Sequence, residues 1–521
     1  MVDTSFAHCA FRQRRNDRQT SAASADPVRR ALRMAWPVAL RRGSLVAAAM
    51  VLAGCASVLT TPDARLTDVG VPATWSNGTA APAAASLAGW WQRFDDPQLT
   101  ALVTQALERN SDVRTAQATL LQARAQRDVV AAGLLPTLDA SASAQRSRTG
   151  DSRAVNSYQA GFDASWEPDI FGGVRSGVAA AEADARAAAS SLANIQVSIA
   201  AEVAATYIDL CALESRLAIA RDNLASQEET LQIAQWRAQA GLTTSLDVEQ
   251  ARSSTEITRA QIPALGASIA QSRSSLAVLT GETPEALQAS MRNPAVVPTA
   301  DEPLALAFPA ETLRQRPDVR RAEEQVRAAA SRVTQADAAR YPTFRLGGTL
   351  GLSALTLGGL GGGDALLRVL LGSVSVPVYS GGALTAQVRA QQAALAQARV
   401  GYEAVVLGAL KEVEDALASL STSRDRLAAL QRAAEAARNA SLLARFRYNS
   451  GLIDFQSVLQ TQVTLLSVED GVASAQGAIG TAYVRLYKAL GGGWQPESAA
   501  AVAPNPDRSV ATPAIPTKAR S

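Results

Sequence analysis

Histidine occurs once in the 521 residues, at His8, and cysteine three times, at Cys9, Cys55 and Cys211. Removal of residues 1–54, argued below to be a leader, leaves no histidine and two cysteines. That composition excludes imidazole acid–base chemistry, Ser/His/Asp and Cys/His triads, zinc sites that use histidine, and a disulfide framework. Carboxylates are spread along predicted helices without a catalytic pair. The glycine-rich run at 358–363 lacks the Lys-Ser/Thr and the following helix of a phosphate loop, and reads as a turn. Cys211 lies mid-helix among apolar residues and reads as a packing cysteine. No enzyme activity, cofactor or metal is expected.

The chemistry that remains is modification of Cys55. Residues 1–54 carry nine Arg and three acids, net +6, and the rest of the chain 41 basic and 44 acidic residues, about −3. The basic surplus belongs to the leader, so nucleic acid is not an expected partner. Arg41-Arg42 followed by the short apolar run 43–51 has the layout of a secretory signal, with Met34 an alternative start. The run is too short for a transmembrane helix, which needs roughly 20 apolar residues. It ends in Leu52-Ala53-Gly54-Cys55, which resembles a bacterial lipobox. The resemblance implies cleavage before Cys55 and a diacylglycerol on its sulfur, and Ala56 at the next position implies sorting to the outer membrane. Several acyl chains, at about 0.8 kcal/mol per buried CH₂, would make that anchor durable.

The elements beyond the anchor come in two copies. Leu107, Asp112-Val113-Arg114, Ala116, Ala123 and Pro136-Thr137 recur as Leu313, Asp318-Val319-Arg320, Ala322, Ala329 and Pro342-Thr343. Pro168 and Gly172-Gly173 recur as Pro377 and Gly381-Gly382. Arg237, Gly241-Leu242, Val248 and Gln250 recur as Arg447, Gly451-Leu452, Val458 and Gln460. A spacing of about 210 is far too long for a solenoid and marks an internal duplication. The implied divisions are a leader at 1–54, an anchored segment at 55–98, repeats at 99–301 and 302–493, and a flexible tail at 494–521.

Within each copy a helical run, 98–135 in the first, ends at a proline. Period-two alternation follows: Leu138, Ala140, Ala142 and Ala144, then Tyr158, Ala160, Phe162, Ala164 and Trp166, against polar neighbours. This reads as a hairpin with one apolar and one polar face. The second copy repeats it with Phe344, Leu346, Leu350 and Leu352, a glycine loop, and a strand from Leu370 to Val376. Proline-free helical runs at 174–239 and 383–448 come next, each about 100 Å long if continuous. Each ends at a glycine, Gly241 or Gly451, before a return helix; Pro263 is expected to bend or interrupt the first return.

Strands of about ten residues suit a tilted bilayer crossing, and a lipid-exposed sheet must close. Four strands are too few for a barrel and three copies supply twelve, so a shared trimeric barrel is expected. A coiled-coil scaffold would have no use for two such hairpins.

At this point the chain resembles the TolC family of outer-membrane channel-tunnels, and within it the OprM-like lipoproteins of RND-type efflux systems. The carrying residues are the lipobox, Trp90-Trp91-Gln92-Arg93-Phe94-Asp95-Asp96-Pro97-Gln98-Leu99, the Asp-Val-Arg repeats, the Pro…Gly-Gly turns and the Gly-Leu tips. The resemblance implies an α+β membrane protein: a homotrimer with a twelve-stranded outer-membrane β-barrel continued by a periplasmic α-helical barrel. It implies passive conduction of drugs or other small molecules delivered by a periplasmic adaptor and an inner-membrane RND pump. Alternatives are an exit duct for protein secretion and a non-conducting structural lipoprotein. The resemblance also implies a bond between Tyr448 and Asp247 at the periplasmic tip. Ser457 and Gln460 stand where the family has constricting aspartates, and Val463 where an arginine is common, so weak charge selectivity is expected.

Overall fold

The structure, a computed structural model, describes residues 70–76, 87–291, 296–300 and 309–494. The expected leader at 1–54, Cys55 and the expected tail beyond Trp494 lie outside the described residues.

A 3-10 turn, Trp90–Phe94, leads into α1 (Pro97–Arg109) and α2 (Ser111–Ala132). The single helix expected over 98–135 is therefore two. The break is at Asn110, whose side-chain oxygen accepts from the backbone N–H groups of Asp112 at 2.8 Å and Val113 at 3.3 Å. Asparagine competes with helical backbone for its own hydrogen bonds and so starts helices better than it continues them. Then come β1 (Thr137–Ser147), β2 (Val155–Trp166), α3 (Gly173–Gln239) and α4 (Ser245–Thr280). Pro263 does not interrupt α4; it sits exposed on the helix, where water can satisfy the carbonyl that loses its N–H partner. A short α5 (Pro284–Ser290) closes the first copy.

The second copy runs α6 (Pro309–Gln315), α7 (Pro317–Ala338), β3 (Thr343–Ala354), β4 (Leu366–Ser375), α8 (Ala383–Asn449) and α9 (Phe455–Ala489). Helices α3 and α8 each have 67 residues.

The two hairpins form one antiparallel sheet in the order β1-β2-β3-β4. The copies join at β2–β3, where Tyr158 pairs with Ala354 and Trp166 with Leu346. Gly161 pairs with Gly351 at this seam, and a Cβ on Gly161 would lie 2.7 Å from Gly351 Cα. Among the described residues β1 and β4 have no second neighbour, so both sheet edges are open.

The helices repeat this order: α2 packs on α3, α3 on α7, and α7 on α8. The return helices complete a second tier, with α4 on α3, α3 on α9, and α9 on α8. Alanine and glycine permit the close approach. A Cβ on Gly477 of α9 would lie 2.7 Å from Ala212 Cβ on α3, and one on Gly480 would lie 2.8 Å from Ile208. An apolar window in α3 would suit a membrane span by length and composition, but most of it is buried within the fold, so α3 is a core helix.

The largest core gathers where the helices meet the N-terminal segment. Trp90 stacks on Tyr487 with centroids 5.1 Å apart, and Trp91 and Phe94 pack edge-on around it. Asp96 caps α1 through Gln98 and Leu99 and also accepts from the Tyr207 hydroxyl at 2.8 Å, which fastens this segment to α3. Cys211, one turn on, is buried, and burial pushes its thiol up to about 12. It stays protonated and packs, as its sequence context implies.

Candidate functional site

The residues singled out from the sequence fall in three places: the sheet, the turns that follow its strands, and the glycine tips.

On one face of the sheet, Leu138, Phe162, Leu350 and Leu370 are more than half exposed. The other face carries hydroxyls and carboxylates. Asp163 accepts from Ser141 of β1 at 2.9 Å and Thr349 of β3 at 2.8 Å, so one carboxylate ties three strands together. Arg345 on the same face pairs with Glu167 at 3.5 Å. Large apolar groups exposed on a regular sheet fit lipid, and a polar face opposite fits water. Strand β4 departs from the expected alternation. Its positions opposite Gly351, Thr349 and Gly347 are Leu367, Val369 and Leu371, so it is apolar on both faces. Register against β3, not its own pattern, fixes its orientation.

The strand-to-helix turns contain the glycines of the Pro…Gly-Gly spacing. Gly172 has φ +77°, and Gly381 and Gly382 have φ +60° and +84°, a region that favours glycine. Pro168 and Gly173 line a cavity of about 350 Å³ beside Phe171, which stacks on Tyr341. In the first copy Asp169 holds the turn, accepting from Val174 N at 3.2 Å and Arg175 N at 2.8 Å. Sequence reading missed Asp169; its place just ahead of a helix start was the available signal. The second copy has Tyr379 and Val378 after Pro377, both more than nine-tenths exposed.

At the opposite end, α3 and α8 terminate alike. Gly241 and Gly451 take φ +72° and +74°, and the N–H groups of Leu242 and Leu452 return to the carbonyls of Arg237 and Arg447 at 2.8 and 2.9 Å. This Schellman closure satisfies the last carbonyls and leaves Leu242 and Leu452 about 70% exposed. Each return helix is then capped, α4 by Thr244 and α9 by Asp454.

The structure does not bond Asp247 to Tyr448 within the chain. Asp247 accepts from the hydroxyls of Thr243 and Thr244 and the N–H of Thr244, a capping box. The Thr243 bond, aided by those of Thr244 against a smaller burial effect, holds its carboxyl below the ordinary range. Tyr448 is buried against Phe455, and its hydroxyl has no hydrogen-bond partner among the described residues. Arg237 lies over the Tyr448 ring at 4.3 Å and donates to the Tyr448 carbonyl at 3.2 Å. Ser457 is used locally, bonding Asp454 through its N–H at 2.9 Å and through its hydroxyl, while Gln460 is exposed on α9. Asp454 was missed from sequence. It puts an exposed carboxylate three residues before the expected position, held below the ordinary range chiefly by the Ser457 hydroxyl.

Among the described residues no group of three His, Cys, Asp or Glu is placed to hold a metal. The family described as outer membrane efflux protein matches the chain twice, over residues 102–282 and 308–492. The pyoverdine export outer membrane protein OpmQ of Pseudomonas aeruginosa is 31% identical over 474 residues, covering 88% of this chain and 98% of that protein. The antibiotic efflux pump outer membrane protein ArpC of Pseudomonas putida is 30% identical over 487 residues, covering 90% of this chain and 98% of that protein. Among solved structures, the outer-membrane channel OprN matches with a TM-score of 0.78 at 33% identity, covering 84% of this chain and 100% of that one. With a duplicated sheet and helix wall and a match in each copy, the chain belongs to the TolC-like outer membrane efflux protein family and is an outer-membrane efflux channel, not an enzyme.

Proposed function

We propose that three copies of this chain close one twelve-stranded barrel and one helical wall beneath it. The duct so formed would be the exit of a tripartite pump, receiving cargo from a periplasmic adaptor and an inner-membrane RND transporter. The observation that carries the reading is the open edge on both sides of the chain. The sheet ends at β1 and β4, and the wall ends at α2 and α4 on one side and α8 on the other. Apolar side chains are exposed along these edges: Leu121 and Val129 on α2, Ile257 on α4, and Val400, Leu407 and Phe446 on α8. An unpaired edge in lipid leaves backbone groups without partners, and closure removes it.

Cargo would be small molecules of the kinds named for the relatives, such as a siderophore or antibiotics. Passage would be passive, with selection made by the pump. The exposed tip residues Leu242 and Leu452 are offered to the adaptor. Cys55 would carry the lipid that adds an anchor to the barrel. The tip would close when Tyr448, whose buried hydroxyl has no partner among the described residues, gains Asp247 as acceptor. Planar bilayers test the reading: the purified protein should insert and conduct ions in discrete steps once the tip is open, and a protein that inserts but never conducts, with or without Asp247→Ala and Tyr448→Phe, would refute it.

A further inference from the structure

The strands carry five charged residues, and the register sorts them by face. Asp139, Asp163 and Arg345 lie on the polar face. Arg146 and Arg368 lie on the apolar one, in line with Leu138, Ala140, Phe162, Leu350 and Leu370. Arg368 pairs across to Leu350, Leu350 to Phe162, and Phe162 to Ala140, so its neighbours on that face within the sheet are apolar. Both arginines are exposed, and among the described residues neither has an ion pair. No strand carboxylate shares their face.

Their depth is also alike. Arg146 is next to last in β1 and Arg368 is third in β4, so each lies close to the hairpin-loop end of its strand. A lone guanidinium on a lipid-facing strand is costly at the bilayer centre and nearly free of cost close to the interface. At headgroup depth it becomes a binding group, because its planar fork matches two phosphate oxygens at once. Below Arg368 the same face forms a groove of about 660 Å³ lined by Leu138, Phe162, Ala164, Gly348, Leu350 and Leu370. The occupant that satisfies both parts is an amphiphile with an anionic head and an apolar tail.

We propose that Arg146 and Arg368 form a collar that binds phosphate groups of the phosphorylated glycolipid in the outer leaflet, with an acyl chain lying in the groove below Arg368. The inference rests on the reading that the apolar face meets lipid with the hairpin loops outside. The glycolipid is the occupant because the loop end faces the outer leaflet and two guanidiniums of one sign call for a multiply phosphorylated head.

Native mass spectrometry of the purified channel tests this with diphosphoryl lipid A and its dephosphorylated form as probes. The wild-type protein should prefer the diphosphoryl form by about tenfold or more, the scale of one charge-assisted bond. Arg146→Gln/Arg368→Gln should lose that preference and still bind the dephosphorylated form as the wild type does. Arg368→Gln alone should lose part of it, and serves if the double variant does not assemble. Equal preference in wild type and variants would overturn the collar. A separate readout tests the underlying face assignment: bromine-tailed lipids should quench Trp166, which lies on the apolar face, and Trp166→Phe should remove that quenching. Absent quenching would overturn the lipid-facing assignment and the collar with it. Quenching with unchanged lipid preference would overturn the collar alone.

Discussion

Asn110 and Arg316 hold equivalent positions in the two copies, and each bonds a carbonyl at the end of its own copy's return helix. Asn110 Nδ2 donates to Leu279 O at 2.9 Å, and Arg316 Nη1 donates to Ala489 O at 2.7 Å. Two different side chains thus tie the start of a copy to its finish. Arg316 does more, since it is buried and also binds Asp318 at 2.6 Å and Glu412 at 2.7 Å. Arg316→Ala should therefore cost about 3 kcal/mol, the lower end for breaking a buried pair. Asn110→Ala removes a cap and should cost about 1 kcal/mol. Thermal melting followed by circular dichroism should rank the two in that order, and equal losses would contradict it.

The same pair sets an acid response. Burial would raise the Asp318 carboxyl, but the bond and charge of Arg316 outweigh it and hold it below the ordinary 3.8. A carboxyl depressed by folding adds stability that is fully present above its unfolded value and is lost as pH falls through its lower, folded one. The stability gap between wild type and Asp318→Asn should be full at neutral pH and close progressively below pH 3.8. A gap that widens with acid would contradict the assignment.

Close packing of α3 on α9 makes glycine identity matter at particular positions. Gly477→Ala places a methyl 2.7 Å from Ala212 Cβ, whereas at Gly471 the nearest atom is Leu430 Cδ2 at 3.5 Å. The first substitution should destabilise by about 1–3 kcal/mol through overpacking. Gly471→Ala should be neutral or stabilise by up to about 1 kcal/mol through helix propensity. Melting temperatures of the two variants, measured side by side, should move in different directions or by clearly different amounts.

At the tip, Tyr448→Phe removes a hydroxyl that has no hydrogen-bond partner among the described residues, and Asp247→Ala removes the N3 half of the capping box that Thr244 begins. As a latch, the two should raise resting single-channel conductance by similar amounts, and the double variant should add little. A phenol-to-carboxylate bond contributes about 1.5–3 kcal/mol. If the effects add in full, or if only Asp247→Ala has one, Asp247 acts as a cap and not as a latch.

Much of this was legible in the residues because the dominant signals are periodic. Alternation marked β1, β2 and β3 to within a few residues, and proline-free runs marked α3 and α8 almost to their ends. The misreadings have local causes. Asn110 looked like one polar residue in a helical stretch, because its cap depends on which backbone N–H groups its side chain takes. Pro263 is expected to bend or interrupt the return helix, and of these the interruption does not occur, because its exposed position lets α4 continue. Strand β4 has no alternation to read, since Leu367, Val369 and Leu371 face the polar side. At the tip, spacing located the glycines but not Asp454, whose importance comes from the capping geometry at the start of α9.

Closure by three chains is the central claim, and the mass of the assembled particle tests it most directly. Native mass spectrometry of the detergent-purified protein should give one species of three chains, with no folded monomer. A monomer that keeps its strand content in detergent would contradict the shared barrel, because β1 and β4 would then be open edges in an apolar medium.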